Sequence, residues 1–204
     1  MKLYKRLNEA LKESNDVRAL KLTIKSEELP QELFHFPNLE ELYLEGQCTQ
    51  LPDLTMKWEK LKTLSLKFPH FKDEPSSLFK LPSLMNLKLI QTPLKMFLLP
   101  LGYTVAPLTS LTMRECGLKF LPEEIGTLNA LIEMNVSQNK LSELPHTFKE
   151  LTRLKRLNLD HNLFKKFPDL LKYNKDLSHL SIDFNNFDED EKARIQRDFH
   201  IWTQ

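Results

Sequence analysis

Apolar residues recur along the whole chain in one fixed pattern. The clearest copy places Leu131, Met134 and Val136 close together, followed by Leu141 and Leu144, with mostly polar residues between them. Because Met134 and Val136 alternate with polar residues at period two, they are predicted to point to one face of a short strand. The same frame fits eight times at intervals of 22 to 24 residues, and the copies start at residues 17, 39, 61, 84, 108, 131, 154 and 177. This period is typical of a solenoid of stacked repeats.

Residues 131–145 read L-x-x-M-x-V-x-x-N-x-L-x-x-L-P, and the pattern returns 23 residues later in residues 154–168. These residues resemble the leucine-rich repeat family, whose unit reads L-x-x-L-x-L-x-x-N/C-x-L. The resemblance covers nearly the whole chain, and the Leu-Pro step is similar to that of the 23-residue class found in bacterial and intracellular eukaryotic proteins. It implies an α/β solenoid: a right-handed horseshoe segment with a parallel sheet on the concave face, an irregular or 3-10 helical convex side, and helical caps.

One polar position of the repeat departs from the family pattern in the first half of the chain. It is asparagine in the last three copies, at Asn139, Asn162 and Asn185. In the family this side chain points inward and bonds the backbone of adjacent coils. The same frame gives other residues in the four preceding copies, namely Cys116, Thr92, Pro69 and Gln47. Since proline offers neither an N–H nor a polar side chain, we expect the first half to be less regular.

A stack of repeats leaves two open ends, and each end needs a cap that covers its apolar face. Leu3, Leu7 and Leu11 recur at helical spacing, which predicts an N-terminal cap helix within residues 1–16. Eight repeats then occupy residues 17–187. With a second cap at the other end, residues 1–204 are predicted to form one domain.

The second cap is predicted for residues 188–204. Asp188 and Glu191 have the spacing of a capping box, which starts a helix. Ile195, Phe199 and Trp202 follow at helical spacing and would cover the last coil. A partner-binding face made of Phe199 and Trp202 is the alternative.

Composition excludes several classes of function. The formal net charge is +1, with 29 basic and 28 acidic residues spread along the chain, so no basic stripe for nucleic acid is present. Only four glycines occur, which argues against a glycine-rich phosphate loop. No run of apolar residues is long enough for a membrane span, and the charged start lacks the apolar core of a secretory signal. We expect a cytoplasmic monomer; secretion after signal removal, or through a dedicated system, is the alternative.

Motifs of catalysis are missing from the sequence. No nucleotide-binding, serine-hydrolase or zinc-protease motif occurs, and two cysteines are too few for a disulfide scaffold or a four-ligand zinc site. Cys116 fits the inward polar position as a structural thiol, whereas Cys48 could be an exposed one. We therefore expect no enzyme activity, no metal and no cofactor.

One cluster near the C-terminal end keeps an alternative open. Asp160, His161, His179 and Asp183 lie on the predicted strands of the last two repeats. Asp160 and Asp183 hold equivalent positions and should stack about one strand spacing apart, ~4.8 Å. Stacked carboxylates could hold a cation or a basic partner, or form a solvated acidic corner. The hypothesis of an enzyme or a metal-binding protein that uses this cluster is less favoured than the hypothesis of a binding module.

The outward-facing strand residues predict where a partner would bind. The residue between the two inward leucines, the residue after the second leucine and the next one form three columns across the concave face. In repeats two to five these columns form an apolar patch with a basic edge, comprising Tyr43, Lys67, Phe68, Lys88, Ile90 and Arg114. The apolar segment 96–105 is a second candidate, as either core or convex surface.

The resemblance and this patch together predict a non-catalytic interaction module that binds a protein or peptide on its concave face. A secreted effector or surface protein that binds a host target is the alternative of the same kind. The sequence names neither the partner nor the pathway.

Overall fold

Each predicted repeat contributes one short strand. The computed structural model describes residues 1–52, 54, 58–73, 76–94, 106–201 and 203. In this part of the chain nine parallel strands form one open sheet in chain order. The strands are β1 (Leu3–Tyr4), β2 (Ala19–Ile24), β3 (Glu41–Gly46), β4 (Thr63–Lys67), β5 (Asn86–Ile90), β6 (Ser110–Arg114), β7 (Glu133–Asn135), β8 (Arg156–Asn158) and β9 (His179–Ser181). The predicted leucine-rich repeat horseshoe, with one sheet along its concave face, is confirmed.

The strand register reproduces the repeat frame residue by residue. The first inward apolar residue of each repeat lies beside its counterpart in the next, in the order Leu20, Leu42, Leu64, Leu87, Leu111, Met134, Leu157 and Leu180. All of these are buried except Leu180, which is half-buried in the last coil. A single repeat cannot bury its own leucines, so stability comes from the contacts between neighbouring coils.

Short 3-10 helices form the wall of the core opposite the sheet. They span Gln31–His35, Ser76–Lys80, Glu123–Thr127, His146–Glu150 and Asp169–Tyr173. A proline directly precedes four of them, namely Pro30, Pro122, Pro145 and Pro168. Proline suits this position because its fixed φ is compatible with a helix start and its missing N–H is not needed there. The Leu-Pro step of the sequence therefore starts the convex wall.

The inward asparagines form a ladder that links four coils, from the fifth repeat to the eighth. Asn162 lies 3% exposed; its Oδ1 accepts from the Leu141 N–H at 3.0 Å, and its Nδ2 donates to the Val136 and Leu159 carbonyls at 3.0 Å each. Asn139 and Asn185 make equivalent bonds. The family-based expectation for this side chain is confirmed, since each rung satisfies buried backbone groups that the strands leave unpaired.

The ladder positions predicted for the second and third repeats are wrong. Pro69 and Gln47 are exposed, and the inward positions are taken by Phe68 and Cys48, which are each 0% exposed. The repeat frame shifts by one residue in each case. In the third repeat the inward residue is Phe68, one position before the expected Pro69. The Thr92 hydroxyl accepts a hydrogen bond from the Phe68 N–H at 3.0 Å. An apolar ring thus fills the volume that a polar rung occupies in the other coils.

In most of the other repeats a residue just beyond the strand adopts a left-handed backbone. It directly follows β5 and β6, and it lies three residues after the ends of β7, β8 and β9. Five non-glycine residues have φ between 49° and 58° there, namely Gln91, Glu115, Gln138, His161 and Phe184. Gly46 holds the corresponding place in the second repeat with φ 132°. Such a conformation costs a non-glycine residue roughly 1–2 kcal/mol, and it turns the chain from the sheet towards the convex wall while the side chain stays at the edge of the concave face.

The N-terminal cap differs from the continuous helix that was predicted. Leu3 lies 42% exposed on β1, and the helix α1 spans only Leu7–Ala10, followed by a 3-10 turn at Leu11–Glu13. Tyr4 instead enters the core, 6% exposed, and its hydroxyl bonds the Glu13 carboxylate. Pairing with β2 satisfies the edge of the sheet, which a helix at these residues would leave open.

The helix α2, Glu189–Phe199, lies against the last coil. The Asp188 carboxylate accepts from the Glu191 N–H at 2.8 Å, as the predicted capping residue should. Ile195 is 0% exposed, and Phe199 stacks on Phe167 with ring centroids 4.2 Å apart. The predicted contact of Trp202 lies outside the described residues.

Glu191 ties α2 to the coil beneath it. Its carboxylate is only 3% exposed and accepts from the Phe167 N–H at 2.8 Å, from Arg194 at 2.6 Å and from Lys166 at 3.2 Å. The Arg194 guanidinium, more than these other donors, holds the pKa of Glu191 down to about 2. Because α2 and the seventh repeat share this carboxylate, the cap and the solenoid are coupled.

Candidate functional site

The concave face carries four columns of side chains, one residue per repeat in each column, and most of these side chains face outwards. The three predicted columns omit a fourth, which is formed by the residue before the first inward leucine of each strand. This column contains Glu41, Thr63, Asn86, Ser110, Glu133, Arg156 and His179. The strict alternation of a strand places this residue on the same surface as the others, so the sequence already contained the signal. The candidate site is this whole surface.

The structure brings five of the six predicted binding residues to the concave face. Tyr43 and Ile90 are half-buried, and Lys67, Lys88 and Arg114 are exposed. The Tyr43 hydroxyl donates to the Glu41 carboxylate at 3.0 Å, and burial is the main cause that raises the pKa of this phenol. The predicted apolar patch is therefore small, because only the half-buried side chains of Ile90 and Tyr43 contribute to it.

The prediction that Phe68 lies on this exposed surface is wrong. Its side chain is 0% exposed and stacks at 6.4 Å on Phe71 inside the core. The physical reason is the shifted frame of the third repeat, where the ring replaces a polar ladder rung. Phe68 stabilises the fold and offers no surface to a partner.

Arg114 is exposed but already engaged with its neighbours. Its guanidinium pairs with Glu115 at 3.0 Å and bonds the Gln138 side-chain oxygen on the next coil. Glu115 in turn accepts from the Gln91 amide at 2.8 Å. This chain of contacts links three coils along one edge of the sheet. A partner would meet a charge-compensated strip there, rather than an isolated arginine.

A groove of about 620 Å³ lies over β6 to β9, in the half of the concave face that the predicted patch left out. Its floor contains the polar column Thr112, Asn135, Asn158 and Ser181, and its side contains Ser110, Glu133, Arg156 and His179. Glu133 and Arg156 form an ion pair across β7 and β8. Polar groups of several chemical types thus converge on a concave surface, as they do in binding sites.

The two asparagines of the groove floor are held in a fixed orientation. The Asn135 Oδ1 accepts from the Ser137 N–H at 2.9 Å, and the Asn158 Oδ1 accepts from the Asp160 N–H at 3.0 Å. Each oxygen is therefore used by its own strand. In the part of the chain that the structure describes, neither amide nitrogen makes a hydrogen bond, so each can donate to a carbonyl or carboxylate oxygen of a bound chain.

The Asp160 cluster is built mainly from hydrogen bonds within the protein. The Asp160 carboxylate accepts from the Ser181 hydroxyl at 2.7 Å and from the Asp183 N–H at 2.8 Å. His179 bonds the Ser178 hydroxyl, whereas His161 stacks on the exposed Phe184 ring at 4.4 Å. The two histidines are thus turned to different neighbours. Across the described ranges, no group of three or more metal-binding side chains is placed to hold an ion.

Both cysteines are buried thiols. Cys48 and Cys116 are 0% and 1% exposed, and neither forms a disulfide. The possibility of an exposed thiol at Cys48 is therefore wrong. Burial raises the pKa of Cys116 to about 12, and its thiol donates to the Leu89 carbonyl at 3.3 Å in the ladder position. These thiols fill the core and carry no site.

Two further predictions concern the chain beyond this face. The apolar segment 96–105, offered as a second surface, lies outside the described residues. Within the described part of the chain, no helix has the length and apolar character that crossing a membrane requires.

A family model described as leucine rich repeat matches residues 106–164. Among curated proteins, the volume-regulated anion channel subunit LRRC8B of Mus musculus is 33% identical to this chain over 138 residues. The alignment covers 64% of this chain but only 17% of that relative, so the chain spans a small part of the relative's length.

Solved structures show the same fold at low sequence identity. An internalin (inlF) of Listeria monocytogenes matches with a TM-score of 0.68 at 17% identity, over 91% of this chain and 54% of the internalin. The plant peptide hormone receptor RGFR1, in complex with RGF2, matches with a TM-score of 0.60 at 21% identity, over 84% of this chain and 28% of the receptor. With its eight stacked repeats, its matched family model and this shared fold, the chain is a leucine-rich repeat protein.

Proposed function

We propose that this chain is an interaction module that binds a protein or peptide across the concave face of its sheet. The observation that carries the proposal is the groove of about 620 Å³ over β6 to β9, with its polar column on the floor. The fixed asparagine amides present donors to an incoming chain, and the Glu133–Arg156 pair presents both signs of charge beside them. Hydrogen-bonding groups of this kind suit an extended polypeptide better than an apolar ligand.

The family supports this proposal in general terms. The leucine-rich repeat fold commonly mediates protein–protein interaction, and the family is typically non-catalytic. The structure of RGFR1 in complex with RGF2 has this fold, although only 28% of that receptor is matched. The two halves of the concave face also differ in chemistry, which gives the surface the means to discriminate between partners.

Two residues of the groove allow a direct test. Ser110 and Thr112 line the groove, and their hydroxyls make no hydrogen bond in the described part of the structure. The double variant Ser110→Arg and Thr112→Arg would fill the groove with long cations without removing a bond of the fold. Ser142→Arg and Thr152→Arg make the matched control, because they change the same residue types at exposed positions off the sheet.

Affinity capture with the immobilised chain, followed by mass spectrometry, compares the two double variants with the unchanged chain. We expect specific proteins that the unchanged chain and the control capture and that the groove variant loses. Hydrogen–deuterium exchange should then show protection of β6 to β9 by the captured protein. Captured proteins that bind the groove variant equally well would contradict binding on the concave face.

A further inference from the structure

Charge is distributed unevenly along the concave face. Lys67 on β4 and Lys88 on β5 are exposed, and within the described residues neither takes part in an ion pair. Glu45 lies beside Lys67 in the strand register, and Arg114 adds a cation that Glu115 compensates. The middle of the sheet therefore keeps an excess of positive charge.

The end of the sheet has the opposite sign. Asp160 and Asp183 follow β8 and β9 in the same column, and Arg156, at the start of β8, is paired with Glu133. The hydrogen bonds from Ser181 and from the backbone stabilise the charged form of Asp160 without cancelling its charge.

An exposed aromatic ring borders this acidic end. Phe184 is 52% exposed, stacks on His161 and holds the left-handed position after β9 with φ 56°. An aromatic face next to carboxylates favours a cationic side chain, because the ring quadrupole and the carboxylates attract the same charge. The two ends of the face thus select for different residues of a partner.

We infer that the partner segment is an extended peptide with charges of both signs, which lies across the strands with an acidic residue over Lys67 and Lys88 and a basic residue over Asp160 and Asp183. This inference rests on the proposed function and specifies its ligand. The groove over β6 to β9 occupies the space between the two charged regions, and its polar floor suits the uncharged residues in between. Charge complementarity at both ends fixes the direction in which the peptide lies.

The strand spacing sets the distance between the two charges of the peptide. Lys88 and Asp160 are three strands apart, and Lys67 and Asp183 are five strands apart. At ~4.8 Å per strand these separations are about 14 and 24 Å. An extended chain rises about 3.3 Å per residue, so the acidic and basic residues should be roughly four to seven positions apart.

Selection from a random peptide library displayed on phage, with the full chain immobilised, tests this inference. The enriched peptides should carry an acidic and a basic residue at that spacing. Fluorescence anisotropy of a synthetic copy of an enriched peptide then measures its affinity. Lys67→Glu with Lys88→Glu should weaken binding by about tenfold or more, since two attractions become repulsions.

Charge exchange separates a direct contact from a general effect. Replacing the acidic residue of the peptide by lysine should restore binding to the Lys67→Glu, Lys88→Glu variant. The control Lys119→Glu with Lys165→Glu changes the net charge equally at exposed positions off the strands, and it should leave the affinity within about twofold. Asp183→Asn should weaken only peptides that keep their basic residue.

Other outcomes overturn the inference. Enriched peptides without the paired charges, whose binding is still lost in the Ser110→Arg, Thr112→Arg variant, would refute the two-charge ligand while the proposed concave binding stands. Peptides insensitive to that groove variant would contradict both. A library that enriches no peptide also overturns the inference, and capture of folded proteins then remains the test of the proposed function.

Discussion

Replacing Asn162 by leucine perturbs one rung of the asparagine ladder at nearly constant side-chain volume. The substitution removes one acceptor, which bonds the Leu141 N–H, and one amide group, which bonds three carbonyls. The consequences for these four backbone groups differ. The carbonyls each keep a second donor, because Asn139 still bonds Val136, Asn185 still bonds Leu159, and the Gln138 N–H still bonds Asp160.

The Leu141 N–H is the group that loses its partner, since the described part of the structure shows no other acceptor for it. Leu141 is fully buried, so water cannot replace the lost acceptor. An orphaned buried donor costs about 1–3 kcal/mol, and the loss of further net hydrogen bonding brings the expected destabilisation to about 2–4 kcal/mol. Asn186→Leu is the matched control, because this asparagine is exposed and its side chain makes no hydrogen bond in the described part of the structure; we expect it to cost at most about 0.5 kcal/mol.

Urea unfolding monitored by circular dichroism measures both costs, and hydrogen exchange of the Leu141 amide reports the rung directly. A solenoid can unfold in parts, so the slope of the transition must be compared together with its midpoint. A cost of Asn162→Leu below about 1 kcal/mol, or one equal to that of Asn186→Leu, would refute the reasoning that the hydrogen bonds to buried backbone groups give the ladder its stability.

Three further predictions follow from single contacts. Phe68→Ala should cost about 3–5 kcal/mol in urea unfolding, because the ring is fully buried, whereas Ile90→Ala on the concave face should cost less than half as much; equal losses would contradict the burial of Phe68. Gly46→Ala should destabilise strongly, since an added Cβ would meet the Ile24 carbonyl oxygen at 2.0 Å, while Gly117→Ala at φ 74° meets no atom within 4 Å and should cost about 1 kcal/mol in thermal unfolding. Because the pKa of Glu191 is lowered to about 2, its ionised carboxylate should add roughly 3 kcal/mol to the free energy of unfolding. This contribution should be complete above the unfolded pKa, near 4.5, and should disappear as the pH falls towards 2. Glu191→Gln should flatten this pH dependence of stability, and an unchanged acid profile would contradict the assignment.

The periodic part of the fold could be predicted from the sequence because each repeat places apolar residues at the same positions. The leucine spacing determined the strands β2 to β9, and a proline of the repeat directly precedes the convex helices that begin at Gln31, Glu123, His146 and Asp169. These features depend on residues within one coil or its direct neighbour. The repeat period therefore predicted the strands and most of their register, and the family resemblance that it carries implied the fold class and the inward asparagines.

The errors occurred where one residue could occupy either of two adjacent positions. Phe68 and Pro69 both follow the strand β4, and the frame assigned the inward place to Pro69. Only the contacts of the neighbouring coils decide which side chain turns inwards: the Thr92 hydroxyl bonds the Phe68 N–H, and the core accepts the ring. The predicted N-terminal cap helix was wrong for a similar reason. The helical spacing of Leu3 gives no sign that Leu3 and Tyr4 can instead pair with the open edge of the sheet at β2.

The binding surface, too, was predicted in part from the sequence and decided in part by the tertiary structure. The sequence by itself determined the solenoid, its eight repeats and the residues that alternate outwards, because periodicity is a local property of the chain. The tertiary structure decided which of these residues are free to meet a partner: it buried Phe68, engaged Arg114 with Glu115 and opened a groove over β6 to β9. Side-chain pairing between coils joins residues about 23 positions apart, and only the stacked structure brings such residues into contact.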